Sequence, residues 1–419
     1  MEYALIQVLV QFVNAVGGLL VTRTLPKSEY ALLAVVSSMQ SACQALTELG
    51  TGMGLRARGG RIWDQPTRFG QLLRTSLCLK RQFGVVAFSI CLPITGWLLW
   101  RNGASSSTIG LLGIVFVTAL VPLLGTSTWL VRAQLHGEYR RIQRLELGSA
   151  GFRLSLIGAL SFGHLNAFLA AGAGAAGNWV QALTLRKWAN SKTNVTRVIN
   201  SEDRRELLRL SLRSLPNAVF FCIQGQVLIL IVTITGSPAA VAELAALTRL
   251  ATVFAIFSVA FNNIVVPKFV RCQEPDRLRR TYVDVIGGMI LALGALAGLA
   301  WLWPKPLLWL LGGKYAHLQR ECGWIVTSGC VGQLGMLMWN LNSSKAWIRV
   351  QAPGFIPTVL LVQVIAALAL DLRRFNDLLL FNLLTVAAPI PIYIVDAVLG
   401  LRTNRFSSDS NFIPAERAN

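Results

Sequence analysis

The sequence predicts an all-α fold: a polytopic membrane protein of about twelve transmembrane helices, in two six-helix bundles related by a pseudo-two-fold axis. Three observations predict it. The apolar residues, 54% of 419, gather in runs of about twenty, the length a helix needs to cross roughly 30 Å of hydrocarbon. The basic residues fall almost entirely on one side of those runs. The two halves of the chain echo each other.

The candidate spans are 3–22, 31–55, 82–100, 108–131, 145–162, 164–184, 212–234, 240–266, 282–303, 321–344, 353–370 and 376–400. The first lacks a basic leader and a small-residue cleavage site, so it reads as a retained span and not a signal peptide. It begins two residues after Met1, which points to a start codon upstream. Breakers part several neighbours: Gly163-His164, Gly236-Ser237-Pro238 and Pro304-Lys305-Pro306. The domain reading follows: an N-terminal six-helix bundle over 1–184, a cytoplasmic linker over 185–211, a C-terminal six-helix bundle over 212–400 and a cytoplasmic tail over 401–419.

With the N-terminus inside, the inner loops and tail hold 29 of the 39 Lys and Arg residues and the outer loops 8. That asymmetry is the positive-inside rule, and losing one span would invert every later loop. Both termini are therefore expected in the cytoplasm. The net charge of +20 belongs to these loops, so a nucleic-acid partner is excluded. Seven scattered cysteines without a CxxC pair and three distant histidines give neither a disulfide framework nor a metal site. No cofactor is expected.

The repeat appears when the chain is shifted by 211 residues: VTRTLPKSEYALLA (21–34) falls on VTITGSPAAVAELA (232–245), with six of fourteen positions identical. Two bundles of the same topology are a transporter plan, with the substrate path between them.

Charges at membrane depth are candidate functional groups, because each costs at least about 2.5–3.5 kcal/mol to bury. Arg249, in the eighth span, suits a phosphate bound through two parallel hydrogen bonds, or else an ion pair joining two helices. Glu48, late in the second span, reads either as a site for a coupling proton or sodium ion or as a carboxylate paired with Arg56 or Arg58. Arg153 lies near the middle of the fifth span, and Glu243 lies in the eighth. Arg23 and Lys27 flank an outer turn and read as contacts for an anionic headgroup or as interface anchors. Asp284 and Asp396, near span ends, are expected to snorkel or pair with loops. Gln224 and Gln226 add polar groups to the seventh span. The glycine-rich GTGMG (50–54) and AGAGAAG (171–177) lack a following GK[ST] and read as close helix packing, not phosphate loops.

Several stretches resemble one family. VTRTLPKSEYALLAVV (21–36), ELGTGMGLRARGGR (48–61), AELAALTRLATVFAIFSVAFNNIVVPKFVR (242–271) and LLWLLGGKYAHL (307–318) are similar to segments of bacterial polysaccharide flippases, of O-antigen and teichoic-acid type. These belong to the multidrug, oligosaccharidyl-lipid and polysaccharide exporter superfamily. The resemblance implies a job: moving an undecaprenyl-pyrophosphate-linked oligosaccharide across the bacterial inner membrane by alternating access, for polysaccharide biosynthesis. It implies a lipid-linked oligosaccharide and membrane lipid as partners, with a polysaccharide polymerase and glycosyltransferases nearby. It places Arg249, Gln224, Gln226 and Glu48 toward a central cavity; Arg153 and Arg23 are further candidate substrate contacts by their own charge and position. Gln226 is neutral where many members carry an acid, which puts ion coupling through the seventh span in doubt. Two rivals remain: a cation-coupled drug antiporter of the same superfamily, and a membrane-embedded glycan polymerase or glycosyltransferase. The short, lightly charged outer loops speak against an enzyme.

Overall fold

Hydrocarbon offers backbone amides no partners, so an apolar run must close its own hydrogen bonds, and here it does so as helix. The computed structural model describes residues 2–48, 51–62, 65–136, 138–163, 165–192, 200–250, 261, 265–266, 269, 274–345 and 347–410, and among these there is no strand. The helices are α1 (Glu2–Thr24), α2 (Lys27–Glu48), α3 (Thr51–Ile62), α4 (Pro66–Arg101), α5 (Ser106–Leu135), α6 (Tyr139–Ser161), α7 (Ala167–Lys192), α8 (Ser201–Gln224), α9 (Val227–Thr235) and α10 (Pro238–Leu250). Then follow α11 (Pro275–Leu302), α12 (Pro304–Leu311), a 3₁₀ turn (Gly313–Tyr315), α13 (Gln319–Ser344), α14 (Gln351–Ala369), α15 (Phe375–Ala387) and α16 (Ile390–Ser410). Asn262, Asn263, Cys272, His164 and the sequon at Asn194 lie outside the described residues.

Among the described residues, five helical segments are long and apolar enough to cross a membrane: Ile6–Thr24, Pro66–Arg101, Ser106–Leu135, Asp276–Leu302 and Phe375–Arg402. Their outward faces are large and apolar, as with Val85, Val86, Ile90 and Trp100 on α4. In water such a face would drive aggregation; in lipid it is the solvent-matched surface.

Helix ends follow local chemistry. Pro66, Pro275 and Pro304 open α4, α11 and α12, where a missing N–H costs nothing. Ser105 caps α5 through Thr108 N–H, and Asn200 caps α8 through Glu202 and Asp203 N–H. Glu29 of α2 reaches across to accept the Ala167 N–H at the head of α7, at 2.8 Å.

Three predicted spans differ from the helices found. The twelfth is divided: α15 ends at Ala387 and α16 starts at Ile390. The seventh is divided too, α8 ending at Gln224 and α9 starting at Val227. The third starts sixteen residues early, at Pro66 instead of 82. The cause is a stripe that hydropathy averaging hides among Arg68, Arg74, Lys80 and Arg81. Phe69, Leu72, Leu73 and Leu77 recur at helical spacing and bury against Trp129 and Trp188. Helix also enters the stretch read as a linker, since α7 runs to Lys192 and α8 begins at Ser201.

Contacts between residues gather the chain into two compact units, 1–246 and 247–419. In the first, α1 lies beside α6, α6 and α5 beside α7, and α2 beside α4, while α8 packs on α2, α3 and α4. The basic ends of α3, α4, α5 and α7 share a core that includes Leu55, Leu72, Trp188 and Leu207. In the second unit α13 is central, touching α11, α12, α15 and α16, with Tyr282, Leu337 and Trp347 in the core. Asn342, fully buried there, accepts from Tyr282 Oη at 3.2 Å and donates to Tyr393 O at 2.8 Å.

Asp396 meets the second of its two expected fates. It is 1% exposed, and its two oxygens accept the N–H groups of Val350 and Gln351, each at 2.8 Å, at the head of α14. Asp284 is exposed. Replacing Asp396 by Ala leaves two buried amides unpaired and is expected to cost about 1–3 kcal/mol. Asp396→Asn, which keeps an acceptor, costs less. Thermal unfolding of the purified protein in detergent measures the difference.

Candidate functional site

α1 and α6 carry the polar groups that define the site. Gln7 and Asn14 are seven residues apart on α1; Glu146 and Arg153 are seven apart on α6. Seven residues make nearly two turns, so each pair shares one helix face, with its members about 10 Å apart along the axis. The helices meet along these faces as two rungs. Gln7 lies beside Glu146, and Arg153 Nη2 donates to Asn14 Oδ1 at 2.8 Å.

The rungs open on a cavity of about 280 Å³, which α7 closes with Gly177, Asn178 and Gln181. Gly177 lets α7 approach: a Cβ there would sit 3.4 Å from Arg153 Cβ and 3.5 Å from Ser149 O. This is the close packing expected of the AGAGAAG stretch. The cavity holds one carboxylate, one guanidinium and several amides, so it is a polar pocket inside an apolar protein. Neutral amides suit it chemically. An amide offers N–H to a carboxylate or its oxygen to a carboxylic acid, so Gln7 can partner Glu146 in either protonation state. Among the described residues no group of three or more His, Cys, Asp or Glu is placed to hold a metal ion.

Of the residues singled out from sequence, Arg153 lines this cavity. Gln226 is buried at the start of α9, where Ser38 Oγ of α2 donates to its Oε1. Gln224 is the half-buried last residue of α8. Arg249 is half-buried in the last turn of α10, and Arg23 is exposed in the last turn of α1. Glu48 ends α2, half-buried. The Arg58 partner considered for it is engaged elsewhere, with Glu202, Asp203 and Glu206 of α8.

Sequence reasoning missed two features. Glu146 sits one residue inside the predicted fifth span, beside the loop arginines, and was not singled out; its seven-residue step to Arg153 was the available signal. Lys27 Nζ pairs with Glu243 Oε1 at 2.7 Å, while Tyr30 Oη accepts from Thr22 and donates to Ala245 O at 3.3 Å. Lys27 and Glu243 both lie within a few residues of a predicted outer turn, so they share a depth.

No protein-family model matches the chain, and no curated protein matches it either. Solved structures do. One, described as the inward-facing conformation of a multidrug resistance MATE family transporter of the MOP superfamily, superposes at a TM-score of 0.64 with 16% identity, covering 97% of this chain and 96% of that one. The chain has the MATE transporter fold. An outward-facing conformation under the same description gives 0.61 at 16% identity, over 99% of this chain and 95% of that one. A eukaryotic MATE transporter gives 0.57 at 13%, over 97% and 99%. In this fold, the Ser38–Gln226 bond ties α2 to α9. A double-mutant cycle on Ser38→Ala and Gln226→Leu is expected to return a coupling of about 0.6–1.7 kcal/mol in unfolding free energy.

Proposed function

We propose that the chain is a membrane transporter working by alternating access, and specifically a cation-coupled antiporter that exchanges protons at Glu146 for a small organic molecule. The observation that carries this reading is the polar cavity between α1, α6 and α7. A guanidinium within a span is expensive, and such charges are kept where ions move; Glu146 lies at the start of the same span. Arg153, held by Asn14, is a fixed positive charge. With Glu146 ionised the pair is neutral; with Glu146 protonated the cavity is net positive. Proton loading therefore changes the charge of the cavity by one unit without a metal ion. The likeness to structures described as multidrug transporters supports the same reading, and no bond is made or broken in it.

A second reading, a flippase for an undecaprenyl-pyrophosphate-linked oligosaccharide, is favoured by the four stretches that resemble polysaccharide flippases and by Arg249 as a phosphate contact. In both readings the protein sits in the bacterial inner membrane with both termini cytoplasmic. Its partners in the second are the lipid-linked oligosaccharide and the enzymes that build and polymerise it.

One pair of measurements separates the two. In proteoliposomes, a pH gradient is expected to drive uptake of a cationic dye, and Glu146→Gln to reduce it at least tenfold with normal expression. Uptake that ignores the gradient, or survives Glu146→Gln, overturns the antiporter. The flippase reading instead expects prenyl-linked oligosaccharide to accumulate on the inner face of cells lacking the protein, cleared by the wild type and not by Arg249→Ala.

A further inference from the structure

We propose that the first turns of α8 form a cytoplasmic latch, closed when the carboxylates of Asp203 and Glu206 lock onto Arg58 of α3. Asp203 is fully buried, and its Oδ1 lies 2.5 Å from Arg58 Nε. Glu206 takes Arg58 Nη1, and Glu202 lies 3.6 Å from Nη2. Arg68 of α4 adds a second cation, 3.7 Å from Asp203. Burial lowers the pKa of the Arg58 guanidinium, but Asp203, Glu206 and Glu202 outweigh it and leave the pKa above its ordinary value. Around the charges the fit is close. Asn200 N–H donates to Thr75 Oγ1 at 3.2 Å, and a Cβ on Gly54 would come 2.8 Å from Leu207 Cδ2.

A buried carboxylate held chiefly by one arginine makes a two-state contact. Docked, Arg58 and Arg68 offset the buried charge of Asp203; undocked, water reaches them all. Partly docked geometries leave Asp203 desolvated and unpaired, which is the costly arrangement. The helix is built to move at this end. Pro216 sits inside α8 and removes its hydrogen bond to residue 212, and the helix breaks again at Gly225. Beyond that break Gln226 stays tied to Ser38. The latch can therefore lift about Pro216 while the middle of the span holds its place.

The role in transport rests on the alternating-access reading; the latch itself does not. Leu207, fully buried under the latch, serves as the reporter. In the full-length protein with its seven native cysteines replaced, Leu207→Cys is exposed to a membrane-impermeant maleimide from the cytoplasmic face. Arg58→Gln and Asp203→Asn are each expected to speed labelling at least tenfold, and the double variant to add little beyond either. Unchanged labelling in Arg58→Gln, or additive effects, overturns the latch. A second pair, Gly54→Cys with Leu207→Cys, locks it by a disulfide under a mild thiol oxidant. Transport that stops on oxidation and returns with reductant supports gating. Transport that continues with the disulfide formed overturns it. If no transport is detected in any state, the transporter reading fails while labelling still decides the latch.

Discussion

Every polar group at membrane depth must find its partner inside the protein, because hydrocarbon supplies none. Much of the architecture follows from that constraint. Asp396 is fully buried because two backbone amides at the head of α14 take its two oxygens. Asn342 sits at the centre of the second unit because Tyr282 and the Tyr393 carbonyl use both ends of its amide. Gln226 can stand at a break in the seventh span because Ser38 satisfies its side chain. Each looks like a functional residue when read as a polar letter in an apolar run, and each is met by a partner within the protein.

The cavity between α1, α6 and α7 differs in kind. Its two rungs set Glu146 beside Gln7 and bond Arg153 to Asn14, and the two charges do not pair with each other. A direct ion pair would hold both charges permanently. Separated by two turns, the two charges line one cavity without a direct ion pair. The contacts at the two ends of the first unit are ion pairs, Lys27 with Glu243 at one and Arg58 with the head of α8 at the other. Such pairs lie near water, where forming and breaking them is affordable.

The membrane class, the helical content and most span positions were legible in the sequence, because apolar length and charge asymmetry are one-dimensional properties. The polar extension of α4 was not, since its stripe of Phe69, Leu72, Leu73 and Leu77 is diluted by arginines. The candidate site was legible only in part. Arg153 stood out as a lone charge in an apolar stretch. Glu146 did not, because it borders a run of loop charges from which its own helix then carries it inward.

By itself the sequence determined that the chain crosses a membrane many times and which loops are basic, because burial in hydrocarbon selects residues one at a time by transfer cost. Only the tertiary structure decided which charges meet. Lys27 and Glu243 are 216 residues apart, and Arg58 and Glu206 are 148 apart. Such pairings depend on helix rotation and on the depth at which each turn packs, and these are settled by the contacts of whole faces rather than by any residue alone.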